Sequence, residues 1–351
     1  MAQILPALLS VQDYKLSDEE KRLLNQYNPL GVCLFAAGCR NIQNKQQLQQ
    51  LTKQIKEVIG RDNVLIAIDQ EGGRVRRLLD PQWSNVTSQA DIKNKEMARM
   101  HARLISADLK NSDINVNFAP VLDIDYPDTT LSLKSRCFGA NEKKIATLGR
   151  AMTDEYIKNG ICPCIKHMPG HGRAKSDPHL QLPVITNDYS ELAKDFYPFR
   201  QLNDVPMGMA AHIIISAVDQ DNPVTCSAKA IKTIIRQEIG FNGLLVSDAI
   251  MMNALKGSIS ERAERCWQAG CDVICLGNAD FAANMELCKS HISLTDITQE
   301  RLQSISKIIQ KPLPAINTEY VQNKYCAGLK SVLSYNYEYD ATEVLNRLRK
   351  Q

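Results

Sequence analysis

Short, continuously apolar runs recur along the chain and alternate with longer stretches of helical periodicity. The runs cover residues 4–9, 31–35, 64–68, 114–118, 161–165, 207–211, 244–246 and 273–276. Each has strand length, and apolar residues without alternation mark strands buried on both faces. Between them the spacing predicts helices over 17–27, 42–59, 93–110, 187–203 and 227–239. In the second of these Leu48, Leu51, Ile55 and Ile59 share one face, with Asn41 as its N-cap and Gly60 as its stop. Ser227 caps the last, and Gly240 ends it.

Eight strands separated by helices predict a single (β/α)8 barrel of the TIM type over residues 1–314, followed by a helical tail, 315–351, packed on it. The rival is a doubly wound open sheet. Polar residues recur where strands end: Asp69, Asn117, Lys166, His212, Asp248 and Asn278. In a barrel those ends converge on one mouth, whereas an open sheet concentrates its ligand contacts at one switch point. Strand count and strand ends both favour the barrel.

Charge adds exclusions. Lysine and arginine exceed aspartate and glutamate by only three, and the two signs are interspersed. That predicts neither a nucleic-acid surface nor a membrane surface. No apolar run approaches the ~18 residues of a membrane span. The run at 4–9 lacks preceding basic residues and is interrupted by Pro6, a poor signal peptide. A soluble, cytoplasmic protein is expected. The eleven cysteines lie in apolar runs and helices without zinc-type spacing, which reads as reduced thiols.

The richest chemistry lies in 166–179, Lys-His-Met-Pro-Gly-His-Gly-Arg-Ala-Lys-Ser-Asp-Pro-His, which holds three of the six histidines. Glycine and proline make it a loop delivered by the strand that ends at Lys166. Asp177 and His179 stand two apart. A carboxylate bonded to one ring nitrogen raises the pKa of the imidazole and frees the other nitrogen for proton transfer. An ordinary turn is the competing reading. His167 and His171 are four apart, but Pro169 and Gly170 between them exclude helical metal geometry. Asp248, at a strand end, is a nucleophile, a substrate ligand or a helix cap. Asp69 opens Asp-Gln-Glu-Gly-Gly-Arg, where Gly72-Gly73 lets the backbone approach a ligand. His212 is a ligand contact or a core residue, and His101 and His291 read as structural.

Taken in order, the motifs Asp69-Gln-Glu-Gly-Gly-Arg, Asn117-Phe-Ala-Pro-Val-Leu-Asp123, Arg136-x-Phe-Gly139, Lys166-His-x-Pro-Gly-His-Gly172, Asp177-x-His179, Ala211-His212 and Ser247-Asp248 resemble glycoside hydrolase family three. More narrowly they are similar to its single-barrel bacterial branch, the β-N-acetylglucosaminidases of peptidoglycan recycling. The resemblance covers roughly residues 5 to 310. It implies that Asp248 is the nucleophile of a retaining mechanism, His179 the acid/base and Asp177 its partner. It also implies that Asp69, Arg77, Arg136, Lys166 and His167 bind the sugar. The implied substrate is a terminal GlcNAc linked β-1,4 to anhydro-N-acetylmuramic acid, with or without peptide, handled by a monomer without metal or cofactor. The histidine departs from the usual pair of carboxylates. Two positions depart from the family pattern: Ala249 stands where a second aspartate is common, and Pro178 where serine is usual.

The rivals are another family-three β-glycosidase or a phosphorylase, a metal-dependent barrel hydrolase using His167, His171 and His179, and a non-catalytic sugar binder. A binder has no need of an acid/base pair.

Overall fold

The computed structural model describes residues 3–35, 41–176 and 181–329. Among them ten strands form: β1 (Leu5–Ser10), β2 (Pro29–Leu34), β3 (Leu65–Ile68), β4 (Val116–Asn117), β5 (Cys162–Met168), β6 (Val184–Ile185), β7 (Met207–Ala210), β8 (Ile214–Ile215), β9 (Leu244–Ser247) and β10 (Ile274–Cys275). Eight of these make one parallel sheet in the order β10-β1-β2-β3-β4-β5-β7-β9. The ends meet: Val246 and Val273 form a parallel bridge, Ser247 N donates to Val273 O at 3.0 Å, and Cys275 N donates to Ser247 Oγ at 3.0 Å. The sheet thus curls into the predicted barrel. β6 and β8 pair separately.

Two apolar layers explain why the runs do not alternate. Leu8, Cys33, Leu65, Ala67, Val116, Phe118, Cys162, Cys164, Met207, Met209, Leu244, Val246, Val273 and Cys275 belong to a cluster that fills the barrel. Their neighbours Ala7, Leu9, Val32, Leu34, Ile66, Ile68, Ile165, Ala210, Leu245 and Ile274 belong to the layer under the helices. Side chains still alternate between faces, but both faces are apolar.

Local signals place most helices. Asp18–Tyr27 starts with a capping box between Ser17 and Glu20. Lys45–Ile59 ends at Gly60 with φ 72°. Its N-cap is Asn44, correcting the expectation of Asn41. Asn41 instead spends its amide on Phe35 N and Val11 O, tying two strand ends together. Ser227 does cap its helix, which runs three residues as α and then widens to π-helix over Ile231–Glu238. The fourth predicted helix is shorter, Ala193–Gln201. The helix Glu142–Lys158, which sequence periodicity did not single out, packs against Lys95–Asn111. Helix Thr318–Ala327 also lies on Lys95–Asn111. No helix among the described residues is long and apolar enough to cross a membrane.

Candidate active site

Strand parity decides which terminal polar residues enter the mouth. In β3 the inward residues are Leu65 and Ala67, so Asp69 continues inward. In β5 Cys162 and Cys164 lead to Lys166, and in β9 Leu244 and Val246 lead to Asp248. Asn117 and His212 have the opposite parity and turn into the helix layer. Asn117 Nδ2 donates to Tyr156 Oη at 3.1 Å and to Gln70 O at 2.9 Å. His212 is fully buried between Thr225 and Ala249 O. These five strand-end residues therefore form two groups, and only one lines the mouth.

Lys166 is 2% exposed, and Nζ donates to Asp69 Oδ1 and to Glu71 Oε1, both at 2.6 Å. Arg136 grips Glu71 bidentately, Nε to Oε2 and Nη2 to Oε1, both 2.8 Å. This is the planar fork geometry for which guanidinium is suited. Burial raises the Glu71 pKa, but the charges of Arg136 and Lys166 outweigh it and keep the carboxylate ionised. Lys166 shows the mirror image: burial favours the neutral amine, and Asp69 and Glu71 overcome it. Arg77 Nη2 stands 3.9 Å from Asp69 Oδ2, and its backbone N–H donates to Gln70 Oε1 at 2.7 Å.

β5 continues to Met168, two residues past its expected end, so His167 lies on the strand and not on the loop. Register shifts between Ile165 and Met168, which breaks the alternation there. Both Lys166 and His167 consequently serve the same site, joined by a cis peptide bond. His167 Nδ1 donates to Asp123 Oδ2 at 2.7 Å. A carboxylate only accepts, so the ring is protonated at Nδ1, and Nε2 faces Arg136 Nη2 at 3.3 Å as an acceptor. Asp123 is fully buried and also accepts from His171 N at 2.7 Å. Burial opposes its charge, but His167 and the His171 N–H outweigh burial and lower its pKa.

His171 packs edge-on to His167, with ring centroids 5.8 Å apart. Its ring nitrogens are buried and have no hydrogen-bond partner among the described residues. Burial, then His167, push its pKa down to about 4, against the charges of Asp123 and Asp248. It is therefore a neutral imidazole near the Asp248 carboxylate. Asp248 is half-buried, and its Oδ1 accepts from Ala249 N at 2.8 Å.

The glycines serve packing. A Cβ on Gly172 would sit 1.9 Å from Ile124 O, and one on Gly72 would sit 2.2 Å from Thr87 O. Gly72 was expected to admit a ligand; what approaches it is the protein's own Thr87 and His101. His101 is structural, as expected: Nε2 donates to Glu71 O at 2.8 Å. His291 is exposed beside Glu264. Asp177 and His179 lie outside the described residues. Among the described residues no three His, Cys, Asp or Glu side chains are grouped to hold a metal.

Glu71 and Asp123 are the two site residues that sequence reasoning did not assign. Both stand inside the family motifs, Glu71 in Asp69-Gln-Glu and Asp123 at the end of Asn117-Phe-Ala-Pro-Val-Leu-Asp123. The available signal was charge balance, since three cations converging on one mouth, two of them buried, require carboxylates beyond Asp69.

An eight-stranded barrel whose mouth is lined by carboxylates and their cationic partners has the form of a glycoside hydrolase site, and comparison with known proteins agrees. Residues 4–311 match the glycosyl hydrolase family 3 N-terminal domain, and the chain belongs to that family. A β-hexosaminidase of Neisseria gonorrhoeae is 34% identical over 287 residues, 78% of this chain and 78% of that relative. One from Nitrosomonas eutropha is 32% identical over 311 residues, 85% of this chain and 88% of the relative. The solved structure of NagZ from Neisseria gonorrhoeae in complex with N-trifluoroacetyl-D-glucosamine superposes with a TM-score of 0.82 at 30% identity, covering 94% of this chain and 99% of that one. The chain is a glycoside hydrolase related to the β-hexosaminidases.

Proposed function

We propose that the enzyme is a retaining exo-β-N-acetylglucosaminidase. It removes non-reducing terminal GlcNAc from β-1,4-linked GlcNAc-anhydroMurNAc and its peptides in cell-wall recycling, acting as a cytoplasmic monomer on small carbohydrates. What supports the reading is the strand parity that directs Asp248 into the mouth lined by a preorganised set, Asp69, Lys166, Arg136 and His167. The N-acetyl-type sugar bound to the relative of known structure supports the substrate class.

In this mechanism Asp248 attacks the anomeric carbon while His179 protonates the departing oxygen. The glycosyl-enzyme forms, and the aglycone leaves as an alcohol. His179 then takes a proton from water, whose oxygen displaces Asp248. Two inversions restore the β configuration. Asp177 orients His179 and stabilises the imidazolium. Asp69 and Lys166 hold ring hydroxyls, since Lys166 donates while Asp69 accepts. His167 and Arg136 hold the same sugar from the adjacent wall, and Arg77 supports Asp69. No step calls for a metal or cofactor.

Hydrolysis of aryl β-N-acetylglucosaminide, beside the β-glucoside and with chelator or phosphate added, tests this. Release from the N-acetyl substrate alone, unaffected by chelator and giving free GlcNAc in phosphate, is expected. Preference for the glucoside would favour another β-glycosidase. GlcNAc-1-phosphate would favour a phosphorylase, and loss with chelator a metal enzyme.

A further inference from the structure

Where the helix Ile259–Ala269 packs on the Val224–Cys226 turn lies a group of thiols that the hydrolytic reaction does not use. Cys226 ends a short turn, Val224–Cys226, and is partly exposed. Cys266 lies on the helix Ile259–Ala269 and is fully buried. Their sulfurs are 3.5 Å apart. Reactive cysteines are accessible thiols near positive charge with a resolving thiol at hand. Cys226 meets each condition. The thiol pKa is lowered, first by the hydrogen bond from Cys266 and then by the charge of Arg265, against burial. The hydrogen bond with Cys226, and then burial, raise the thiol pKa of its neighbour Cys266.

The turn carrying Cys226 also carries Thr225, which is fully buried. Thr225 Oγ1 stands 2.7 Å from His212 Nδ1, and His212 Nε2 stands 3.1 Å from Ala249 O. A carbonyl only accepts. Nε2 therefore carries the proton, and Nδ1 accepts from the threonine hydroxyl. Ala249 follows Asp248 and donates its N–H to the Asp248 carboxylate. Thr225 O further accepts from Cys271 Sγ at 3.6 Å. A continuous set of contacts thus runs from the Cys226 turn to the backbone that aims Asp248.

We propose that Cys226 and Cys266 are a peroxide-responsive modification site, and that joining them as a disulfide slows turnover through Thr225, His212 and Ala249. The Cys226 thiolate attacks one peroxide oxygen. The O–O bond breaks, hydroxide leaves and is protonated to water, and Cys226 becomes a sulfenic acid. The Cys266 sulfur then attacks the Cys226 sulfur, its proton leaves with the displaced hydroxyl, and a second water forms. Two thiols and one peroxide become one disulfide and two waters. A disulfide bond is about 2.0 Å long, so the sulfurs must approach by roughly 1.5 Å from their present separation. That closure draws the Thr225 turn toward the helix. Displacements of about 1 Å in groups that aim a reacting atom cost up to about 10²-fold in rate.

The test is stepwise hydrogen peroxide treatment of the full chain, followed by peptide mapping of disulfides and by the rate on aryl β-N-acetylglucosaminide, before and after dithiothreitol. A Cys226–Cys266 disulfide is expected, with a fall of roughly ten-fold that the reductant reverses. Cys226→Ser should keep the untreated rate and lose the sensitivity. In Thr225→Val the untreated rate should already be low, and oxidation should lower it little further. Mapping needs no turnover, so failure of the thiol chemistry is separable from a wrong substrate. A Cys226–Cys271 disulfide, no disulfide, a disulfide without rate change, or a Cys226→Ser enzyme that remains sensitive would each overturn the proposal.

Discussion

The hydroxyl of Tyr325 lies 2.9 Å from Nδ1 of His101, and the opposite ring nitrogen of His101 holds the backbone carbonyl of Glu71. Tyr325 also accepts from Thr87 N at 3.1 Å. Since Nε2 must donate to the carbonyl, Nδ1 accepts from the phenol. Burial pushes the His101 pKa down to about 4, which suits a neutral ring. One tyrosine of the helix Thr318–Ala327 thereby supports the loop on which Glu71 sits.

Tyr325→Phe keeps the ring and removes the hydroxyl from two buried partners. Leaving buried polar groups without such a bond costs about 1–3 kcal/mol. Urea unfolding should show a loss of about 2 kcal/mol. An unchanged midpoint would contradict the role given to this contact.

Glu71 neutralises the buried Lys166 and the partly buried Arg136 at once. Glu71→Gln preserves its shape but leaves Arg136 and Lys166 under-compensated, for which about 3–5 kcal/mol of lost stability is expected. Turnover should fall with it, because Lys166 and Arg136 lose their fixed positions. A variant as stable and active as wild type would show that Glu71 is dispensable.

The same carboxylates set a pH dependence. The pKa values of Glu71 and Asp123 are lower when folded, so the unfolded chain binds more protons in acid. Their stabilisation is fully present above the unfolded values, about 4.3 and 3.9, and is lost as pH falls through the folded values. Urea unfolding between about pH 6 and 2 should show wild type losing more stability than Asp123→Asn. Parallel losses would remove Asp123 from the balance.

Substitutions at the reacting groups separate binding from chemistry. Asp248→Ala should abolish turnover while sugar binding, measured by calorimetry, survives. Wild-type rates in that variant would eliminate Asp248 as nucleophile. His179→Ala should slow aryl glycosides with good leaving groups less than the natural disaccharide, because they need less protonation. Equal losses on both would argue against an acid role.

Much of this enzyme was readable from local pattern. Eight apolar runs became eight barrel strands because buried parallel strands must be apolar on both faces. The stop at Gly60 and the cap at Ser227 were legible because capping is a contact within one turn. Parity carried Asp69, Lys166 and Asp248 into the mouth, since side-chain direction repeats every two residues along a strand. Parity also sent Asn117 and His212 the other way, although they too stood at strand ends.

What the sequence by itself determined was therefore periodicity, strand direction and the family motifs. The partners were decided only by tertiary structure. Arg136 meets Glu71 across 65 residues, His167 meets Asp123 across 44, and Tyr325 meets His101 across 224. The register shift in β5 brings Lys166 and His167 to one site against the simple alternation. Such pairings depend on how strands align side by side around the closed barrel. That alignment is set by the packing of the whole sheet and its helices, and no local propensity encodes it.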